Sequence, residues 1–159
     1  MCIFAKDMQL NLPTYPFNVK LKPNGNKVIF DILRRRFVTL TPEEWVRQHF
    51  VRFLIEEKGF PAALMANEVS LTQNGMKRRC DTLVANAAGN PLVIVEYKAP
   101  HVEISQDTFD QIVRYNMVLR ARYLIVSNGL NHYCCRINYE DASYAFLTDI
   151  PSYSDISTT

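Results

Sequence analysis

The sequence predicts an α/β fold in which a central mixed β-sheet is flanked by helices. Two segments with helical periodicity alternate with short apolar, β-branched segments, in the order helix, three strands, helix, strand, strand. This order is typical of a domain whose helices cover the faces of a mixed sheet. Because the chain of 159 residues has no repeats or low-complexity tracts, we expect a single domain over residues 1–150 and a loose polar tail over residues 151–159.

An extension precedes this core at residues 15–40, where the pattern predicts an N-terminal β-hairpin. Residues 17–22 (FNVKLK) alternate between apolar and polar side chains, and residues 23–26 (PNGN) have the composition of a turn. Extended structure resumes at residues 27–30, and residues 31–40 contain a further extended segment.

The first core helix has the clearest start signal in the sequence. Thr41 is the predicted N-cap, Pro42 occupies the first helical position, and Glu44 is placed to close a capping box. Gly59 and Pro61 end the helix. Its apolar face comprises Trp45, Val46, His49, Phe50, Phe53 and Leu54.

The remaining core elements are short strands and one further helix. Strands are predicted at residues 64–73, 79–85, 92–98, 123–127, 132–137 and 144–147. The second helix is predicted from Ser105 or Gln106 to Leu119. Its core face would contain Phe109, Ile112, Val113, either Asn116 or Met117, and either Leu119 or Arg120.

A charged group at the end of one predicted hairpin is the main indication of function. Fourteen residues separate Asp81 from the triplet Glu96-Tyr97-Lys98. If the two ends of the turn at residues 86–91 (NAAGNP) face each other, Asp81 lies directly opposite Glu96, with β-carbons about 5 Å apart. Because side chains alternate along a strand, Glu96 and Lys98 share one face while Tyr97 points to the other.

Such a group predicts a binding site for a cation or an anionic substrate. Two carboxylates and an ammonium that converge at the end of an apolar strand are costly to hold together without one. The alternative is a solvated hairpin end with surface salt bridges, because Asp, Glu and Lys at this spacing occur in many unrelated chains. The other segments of the chain favour the site.

Basic residues lie beside this group, although the net charge of the chain is only +2. Lys77, Arg78 and Arg79 come shortly before Asp81 and could contact phosphates there. A second cluster at residues 34–36 (RRR) is interpreted as a solvated face. The small net charge excludes a strongly basic tail of the histone type.

The remaining composition indicates a reduced, cytoplasmic protein. No CxxC pair and no zinc-finger spacing is present, so the cysteines are interpreted as reduced thiols. We expect neither a signal peptide nor a membrane span. The sequence contains no phosphate loop of NTPases and no GxGxxG dinucleotide fingerprint. The cysteines are Cys2, Cys80, Cys134 and Cys135.

The second helix adds Gln111 and Tyr115, which are four residues apart and therefore share one helix face. Together with the acidic residues and lysine of the hairpin, this QxxxY pair resembles the PD-(D/E)xK nuclease superfamily, in particular its RecB-like branch. The wider pattern TPEEWVRQ, RRCDTLV, VIVEYKAP, FDQIVRYN and SNG resembles the N-terminal domain of type I restriction enzyme R subunits, in a short stand-alone bacterial form. The resemblance covers residues 15–150, and Cys80 stands where the superfamily name has a proline.

The resemblance implies a restriction-endonuclease-like core and a metal-dependent nuclease. The Asp81 and Glu96 carboxylates and the Tyr97 carbonyl would hold Mg²⁺ or Mn²⁺. Lys98 would orient the attacking water or stabilise the transition state, and Glu44 is expected either in the catalytic group or only as a helix cap. Gln111 would assist catalysis, and the implied substrate-binding residues are Lys77, Arg78, Arg79, Gln111 and Tyr115.

Nucleic acid, in particular DNA, is the implied substrate, in a restriction, defence or repair system. A homodimer or companion restriction subunits are the implied protein partners, and no membrane partner is expected. Two alternatives stay open: a non-catalytic nucleic-acid-binding or assembly module that retains the nuclease fold, and a metal-independent protein–protein domain. The intact set of Asp81, Glu96 and Lys98 argues against the first.

Overall fold

The computed structural model describes residues 9–158, which form two β-sheets and three α-helices. Cys2 therefore lies outside the described residues. No helix in this part of the chain is long and apolar enough to span a membrane. The strands are β1 (Val19–Leu21), β2 (Lys27–Asp31), β3 (Arg36–Thr39), β4 (Met65–Gln73), β5 (Met76–Ala85), β6 (Pro91–Tyr97), β7 (Tyr123–Ser127), β8 (His132–Asn138) and β9 (Ser143–Phe146). The helices are α1 (Pro42–Glu56), α2 (Gln106–Asn116) and α3 (Tyr153–Ile156), and single 3₁₀ turns lie at Ala62–Leu64 and Met117–Leu119.

The N-terminal extension is a three-stranded antiparallel sheet in the order β1-β2-β3. The predicted hairpin is confirmed in β1 and β2, and β3 is the further extended segment expected in residues 31–40. The centroid of the Phe17 ring lies 4.6 Å from that of His49 on α1. Because β2 also buries Ile29 and Asp31 completely, this small sheet is packed onto the core.

The central sheet has six strands in the order β4-β5-β6-β7-β8-β9. The β6–β7 pair is parallel and the other pairs are antiparallel, which confirms the predicted mixed sheet. A parallel pair requires a crossover connection, and α2 provides it between β6 and β7. These two strands are almost entirely buried, which explains their continuous apolar sequences.

The helices α1 and α2 cover opposite faces of the central sheet. Phe50 of α1 packs with Val93 and Val95 of β6 on one face. Phe109 of α2 packs with Ile94 on the other face. Successive side chains of β6 therefore alternate between two apolar clusters, as a strand between two helical layers requires.

Helix α1 begins as predicted. The Glu44 N–H donates a hydrogen bond to Thr41 Oγ1 (3.0 Å), and Pro42 is the first helical residue. The second half of the predicted capping box is wrong, because the Glu44 carboxylate accepts hydrogen bonds from arginine and glutamine side chains instead. The buried face of α1 is accordingly wider than its apolar stripe and includes Arg47 and Gln48.

The C-terminal residues are part of the fold, so the expectation of a loose polar tail at residues 151–159 is wrong for its described part. Helix α3 places Ile156 in the core with 3 % of its surface exposed. The Tyr153 N–H donates a hydrogen bond to the Lys58 carbonyl (2.8 Å), and the Tyr153 ring packs edge-on against Phe60. Tyr153 and Ile156 therefore attach this otherwise polar segment to the core.

Candidate active site

The β5–β6 hairpin brings Asp81 and Glu96 together. Thr82 pairs with Val95, and the same register continued by one residue places Asp81 opposite Glu96, as predicted. The Tyr97 N–H donates a hydrogen bond to Asp81 Oδ2 (2.9 Å). The Asp81 carboxylate is therefore fixed across the end of β6, next to Glu96.

The turn of this hairpin differs from the prediction. Ala85 faces Pro91, whereas the sequence pattern paired Asn86 with Pro91. The Asn86 N–H instead donates a hydrogen bond to the Asn90 carbonyl (2.9 Å). A β-bulge at the turn shifts the register by one residue, and the strand pairs nearer to Asp81 keep the predicted alignment.

The Glu96 carboxyl is buried and incompletely hydrogen-bonded. Its Oε1 atom has no hydrogen-bond partner among the described residues. Burial, followed by the negative charge of Asp81, raises the pKa of Glu96 well above its usual range. The Asn116 side chain and the Lys98 charge oppose this rise in part. A buried polar atom without a partner is uncommon in a folded protein and is therefore a candidate ligand-binding atom.

Tyr97 and Lys98 have different surroundings. The Tyr97 ring is buried on the α1 side of the sheet, and its hydroxyl donates a hydrogen bond to Thr82 Oγ1 (2.9 Å). The Lys98 N–H continues the β6–β7 pairing by donating to the Ser127 carbonyl (2.9 Å). The Lys98 side chain is half-buried and lines a cleft of about 420 Å³ beside the first turn of α1.

Arg47 on α1 is the centre of a buried network beside Asp81. Its guanidinium donates two hydrogen bonds to the Glu44 carboxylate (2.9 and 2.7 Å) and one to Glu68 (2.8 Å). Its Nη1 atom donates to the Asp81 carbonyl (2.9 Å). Burial lowers the pKa of Arg47, but the hydrogen bonds and charges of Glu44 and Glu68 outweigh this effect and raise it. Arg47 is therefore a permanent cation that holds the backbone at Asp81.

Arg34 extends this network into the small sheet. It donates hydrogen bonds to Glu44 (2.7 Å) and to Asp31. The interpretation of residues 34–36 as a solvated face is therefore wrong for Arg34, whereas the two following arginines are exposed. Burial raises the pKa of Asp31, but hydrogen bonds from Arg34 and Asn67 outweigh it and lower the pKa.

A second series of hydrogen bonds closes the network beneath the hairpin end. Asn67 donates to Asp31 (2.9 Å), and Thr82 donates to Asn67 (2.6 Å). Because Thr82 directly follows Asp81, the contacts form a closed circuit of buried polar groups. We call this circuit the polar ring, which comprises Asp31, Arg34, Glu44, Arg47, Asp81, Thr82 and Asn67.

A cleft of about 400 Å³ lies beside Asp81, between the first turn of α1 and strands β4 and β5. Glu68 and Arg79 line its outer part. The cleft shares Thr41 and Glu43 with the cleft that Lys98 lines. One extended ligand could therefore reach both Asp81 and Lys98.

Comparison with known proteins agrees with this fold. Residues 42–151, more than half of the chain, match the family described as type I restriction enzyme R protein N terminus (HSDR_N). The chain belongs to this family. The fold is also that of a fragment structure described as an HsdR subunit of a type I restriction enzyme from Vibrio vulnificus YJ016, with a TM-score of 0.53 and 18% identity over 74% of this chain. This chain covers 24% of that structure. No curated protein matches this chain.

The HSDR_N match includes all of the predicted site residues, but they are not equally close to Asp81. Gln111 and Tyr115 lie on the exposed face of α2, because Phe109 and Val113 face the sheet. In the described part of the chain, the Gln111 side chain forms no hydrogen bond or ion pair. Tyr115 is 45% exposed.

The basic residues that precede Asp81 have three different environments. Lys77 is exposed on β5. Arg78 donates a hydrogen bond to the Tyr115 carbonyl (3.0 Å), and its guanidinium lies 4.5 Å from the centroid of the Tyr115 ring. Arg79 pairs with Glu68, and 69% of its side chain is exposed at the cleft. Two of the three cations are thus already held in place by the protein.

Sequence patterns alone miss three residues near the site: Arg47, Glu68 and Asn116. Arg47 follows Glu44 by three residues on α1, a spacing that could have indicated an ion pair. Asn116 is a buried polar residue on the apolar face of α2, and such an interruption is a recognisable signal. Glu68 lies in β4 with a φ of +56°, an irregularity that no sequence pattern indicates.

The donor atoms limit which metal ions this HSDR_N domain could hold. Residues 9–158 contain no group of three or more Asp, Glu, His or Cys side chains arranged for a metal ion. Glu44 is not available as a ligand, because its carboxylate accepts hydrogen bonds from Arg34, Arg47 and Gln48. A hard divalent cation that keeps several waters requires few protein ligands. The predicted set is that small: Asp81, Glu96 and the Tyr97 carbonyl.

Proposed function

We propose that this domain is a metal-dependent nuclease that hydrolyses phosphodiester bonds in nucleic acid, with DNA as the expected substrate. The observation that carries the proposal is the buried, unpartnered Oε1 of Glu96 beside Asp81, within reach of the Lys98 charge. Two adjacent carboxylates repel each other at neutral pH unless a cation or a proton lies between them. Membership of the HSDR_N family supports a role in restriction, defence or repair.

The residues present fit Mg²⁺ or Mn²⁺. The carboxylates of Asp81 and Glu96 and the carbonyl of Tyr97 would hold the ion, since hard cations prefer oxygen ligands. When bound, such an ion lowers the pKa of a coordinated water and offsets the charge of the scissile phosphate. The Tyr97 N–H keeps the Asp81 carboxylate in one orientation.

The other site residues bind and orient the substrate. Lys98 stabilises the negative charge that develops on the phosphate, a role suited to a compact ammonium. Glu44 is assigned to positioning and not to the reaction, because arginine and glutamine donors occupy its carboxylate. The proposed surface for backbone phosphates comprises Lys77, Arg78, Arg79, Gln111 and Tyr115.

A non-catalytic nucleic-acid-binding or assembly module is the second candidate. Within residues 9–158, no three Asp, Glu, His or Cys side chains are arranged to hold a metal ion, which favours this module. For both candidates, the partners we propose are companion restriction subunits or a second copy of the chain. The chain spans about a quarter of the length of the Vibrio HsdR fragment.

Calorimetric titration with Mn²⁺ and Mg²⁺ tests the metal site. We expect binding to the wild type and its loss in both Asp81→Ala and Glu96→Ala, because each variant removes one of two carboxylates. Glu140→Ala is the control, since Glu140 is exposed and follows β8 at the opposite end of the central sheet. Binding that survives in both site variants would place the ion elsewhere.

A cleavage screen with Mn²⁺ then separates the two candidates. Single-stranded DNA, duplex DNA and RNA are each incubated with the wild type and with Asp81→Ala. Cleavage by the wild type alone supports the nuclease. Nucleic-acid binding without cleavage of any substrate contradicts the nuclease and supports the non-catalytic module.

A further inference from the structure

The polar ring joins the candidate site to a segment outside the family match. The match begins at residue 42, whereas Asp31 ends β2 and Arg34 follows it. Both side chains nevertheless lie in the interior: Asp31 is fully buried, and only 14% of the Arg34 side chain is exposed. The small sheet therefore places charged groups beneath Asp81.

Arg47 is the contact between the polar ring and the candidate metal-binding residue. Its Nη1 atom donates to the Asp81 carbonyl, and the Tyr97 N–H donates to the Asp81 carboxylate. The backbone and the side chain of Asp81 are thus each held by a hydrogen bond. Groups in a working site must be held within about 0.5 Å of their productive position, so the anchoring of Asp81 matters for metal binding.

The anchoring of Arg47 depends in turn on the small sheet. Arg47 and Arg34 both donate to Glu44 Oε1 (2.7 Å each). Asp31 fixes Arg34 by accepting hydrogen bonds from its side chain and from its backbone N–H (3.0 Å). The contacts therefore run in the order Asp31, Arg34, Glu44, Arg47, Asp81.

We infer that Asp31 and Arg34 are positioning residues of the nuclease site, which act on Asp81 through Glu44 and Arg47. This role rests on the proposed function. Without Arg34, the buried Glu44 carboxylate has a single guanidinium partner, and Arg47 moves toward the charge that is no longer compensated. Asp81 then loses the fixed position that its two hydrogen bonds provide. The small sheet completes the site and does not merely cover α1.

Three variants isolate this role. Arg34→Met removes the charge and keeps the apolar stem, and Arg34→Lys restores the charge without the planar fork. Arg52→Met is the matched control, because Arg52 lies on α1 and forms a comparable ion pair with Glu56 (2.8 Å) outside the polar ring. The Arg52 side chain is also similarly buried, with 20% exposed.

Amide hydrogen exchange reports the position of Asp81 in the absence of metal and substrate. We expect Arg34→Met to accelerate exchange of the Tyr97 amide at least about tenfold more than exchange of the Ile125 amide, which lies in the buried strand β7 and reports global opening. Arg34→Lys should recover part of the protection. Arg52→Met should change both amides to the same extent.

Mn²⁺ titration of the same variants provides the second readout. The dissociation constant should rise about tenfold or more in Arg34→Met, as is typical when a supporting contact behind a metal ligand is lost. It should be unchanged in Arg52→Met. Both measurements are made well below the unfolding temperature of each variant, so that the protein stays folded, and the Ile125 amide reports any loss of global stability.

The outcomes distinguish this inference from the proposed function. Equal effects on the Tyr97 and Ile125 amides in Arg34→Met overturn the inference, whether or not the protein binds metal. A selective Tyr97 effect in a protein whose wild type binds no Mn²⁺ supports the positioning of Asp81 and overturns the metal-dependent function. A selective effect together with weaker Mn²⁺ binding supports both.

Discussion

Two groups of charged side chains meet at Asp81 and differ in how their charges are balanced. In the first group, which we call the balanced group, the carboxylates of Asp31, Glu44 and Glu68 are each bound by at least one guanidinium of Arg34, Arg47 or Arg79. In the candidate metal-binding pair, Asp81 and Glu96 are adjacent carboxylates. Glu96 Oε1 has no hydrogen-bond partner within residues 9–158.

The first group has a structural role, whereas the second is a candidate binding site. Burial opposes ionisation in both. In the first group, hydrogen bonds and arginine charges outweigh burial and hold the pKa values of Asp31, Glu44 and Glu68 below their usual range. At Glu96, burial is the largest cause and the negative charge of Asp81 adds to it, so the pKa rises. A balanced group stabilises the fold, whereas an unbalanced one is a candidate binding site.

The largest effect is expected when the balanced group is broken at Arg47. Arg47→Met leaves Glu44 and Glu68 with fewer partners in the interior. Removing one member of a buried ion pair typically costs about 3–5 kcal/mol, so we expect a loss of this size in the free energy of unfolding in urea at pH 7. Arg52→Met, which breaks a more exposed pair, should cost less than about 1 kcal/mol. Similar losses in the two variants would contradict the comparison.

The next effect concerns activity and not stability. Lys98→Ala should lower the cleavage rate by about 10²-fold, because it removes the cation that we propose stabilises the developing phosphate charge. Lys58→Ala, at the opposite end of α1, is the control and should cleave at the wild-type rate. Rates are measured under single-turnover conditions with saturating Mn²⁺. An unchanged rate in Lys98→Ala would remove this residue from the proposed mechanism.

Replacing the Glu96 carboxyl by an amide should stabilise the metal-free protein. The pKa of Glu96 is raised in the folded state, so Glu96 loses its proton at a lower pH in the unfolded chain than in the folded protein. The wild type therefore loses stability as pH rises above about 4.3. Glu96→Gln removes this effect and should raise the free energy of unfolding by on the order of 1–2 kcal/mol at pH 8. The gain should nearly vanish at about pH 3, where Glu96 is protonated in both the folded and the unfolded state. Urea unfolding at both pH values measures it, and destabilisation at pH 8 would contradict the raised pKa.

The smallest effect on stability is expected at the exposed end of the balanced group. Arg79→Ala should cost less than about 1 kcal/mol, because 69% of the Arg79 side chain is in solvent. It should nevertheless weaken nucleic-acid binding for all sequences. The slope of the logarithm of the binding constant against the logarithm of the salt concentration should fall by about one, as expected for one lost phosphate contact. Arg136→Ala, an exposed arginine on β8, is the control in the same binding assay. Equal losses in both variants would show that Arg79 has no specific role.

Local sequence patterns are sufficient to predict most elements and the register of the key hairpin. Symmetry about the turn at residues 86–91 aligns Asp81 with Glu96, and the pairing of Thr82 with Val95 agrees with this register. The N-cap at Thr41 likewise marks the start of α1. The error at the 86–91 turn is confined by a bulge and does not reach the site.

The polar ring could not be predicted, because its contacts are tertiary. Arg34 and Glu44 lie on different elements, and no periodicity relates them. The partners of Arg47 include Glu68 and Asp81, which are 21 and 34 residues away. Sequence patterns assign arginines to the surface by default, and only the assembled fold shows which of them compensate buried carboxylates.

The polar ring also determines where the chain can be cut for domain exchange. A fragment that begins at residue 42, where the family match begins, would retain every candidate catalytic residue. It would also expose the surface that now contacts Arg34, and Asn67 would lose its acceptor Asp31. A graft of this domain into another protein should therefore begin before β1, so that the transplanted unit carries its own counter-charges.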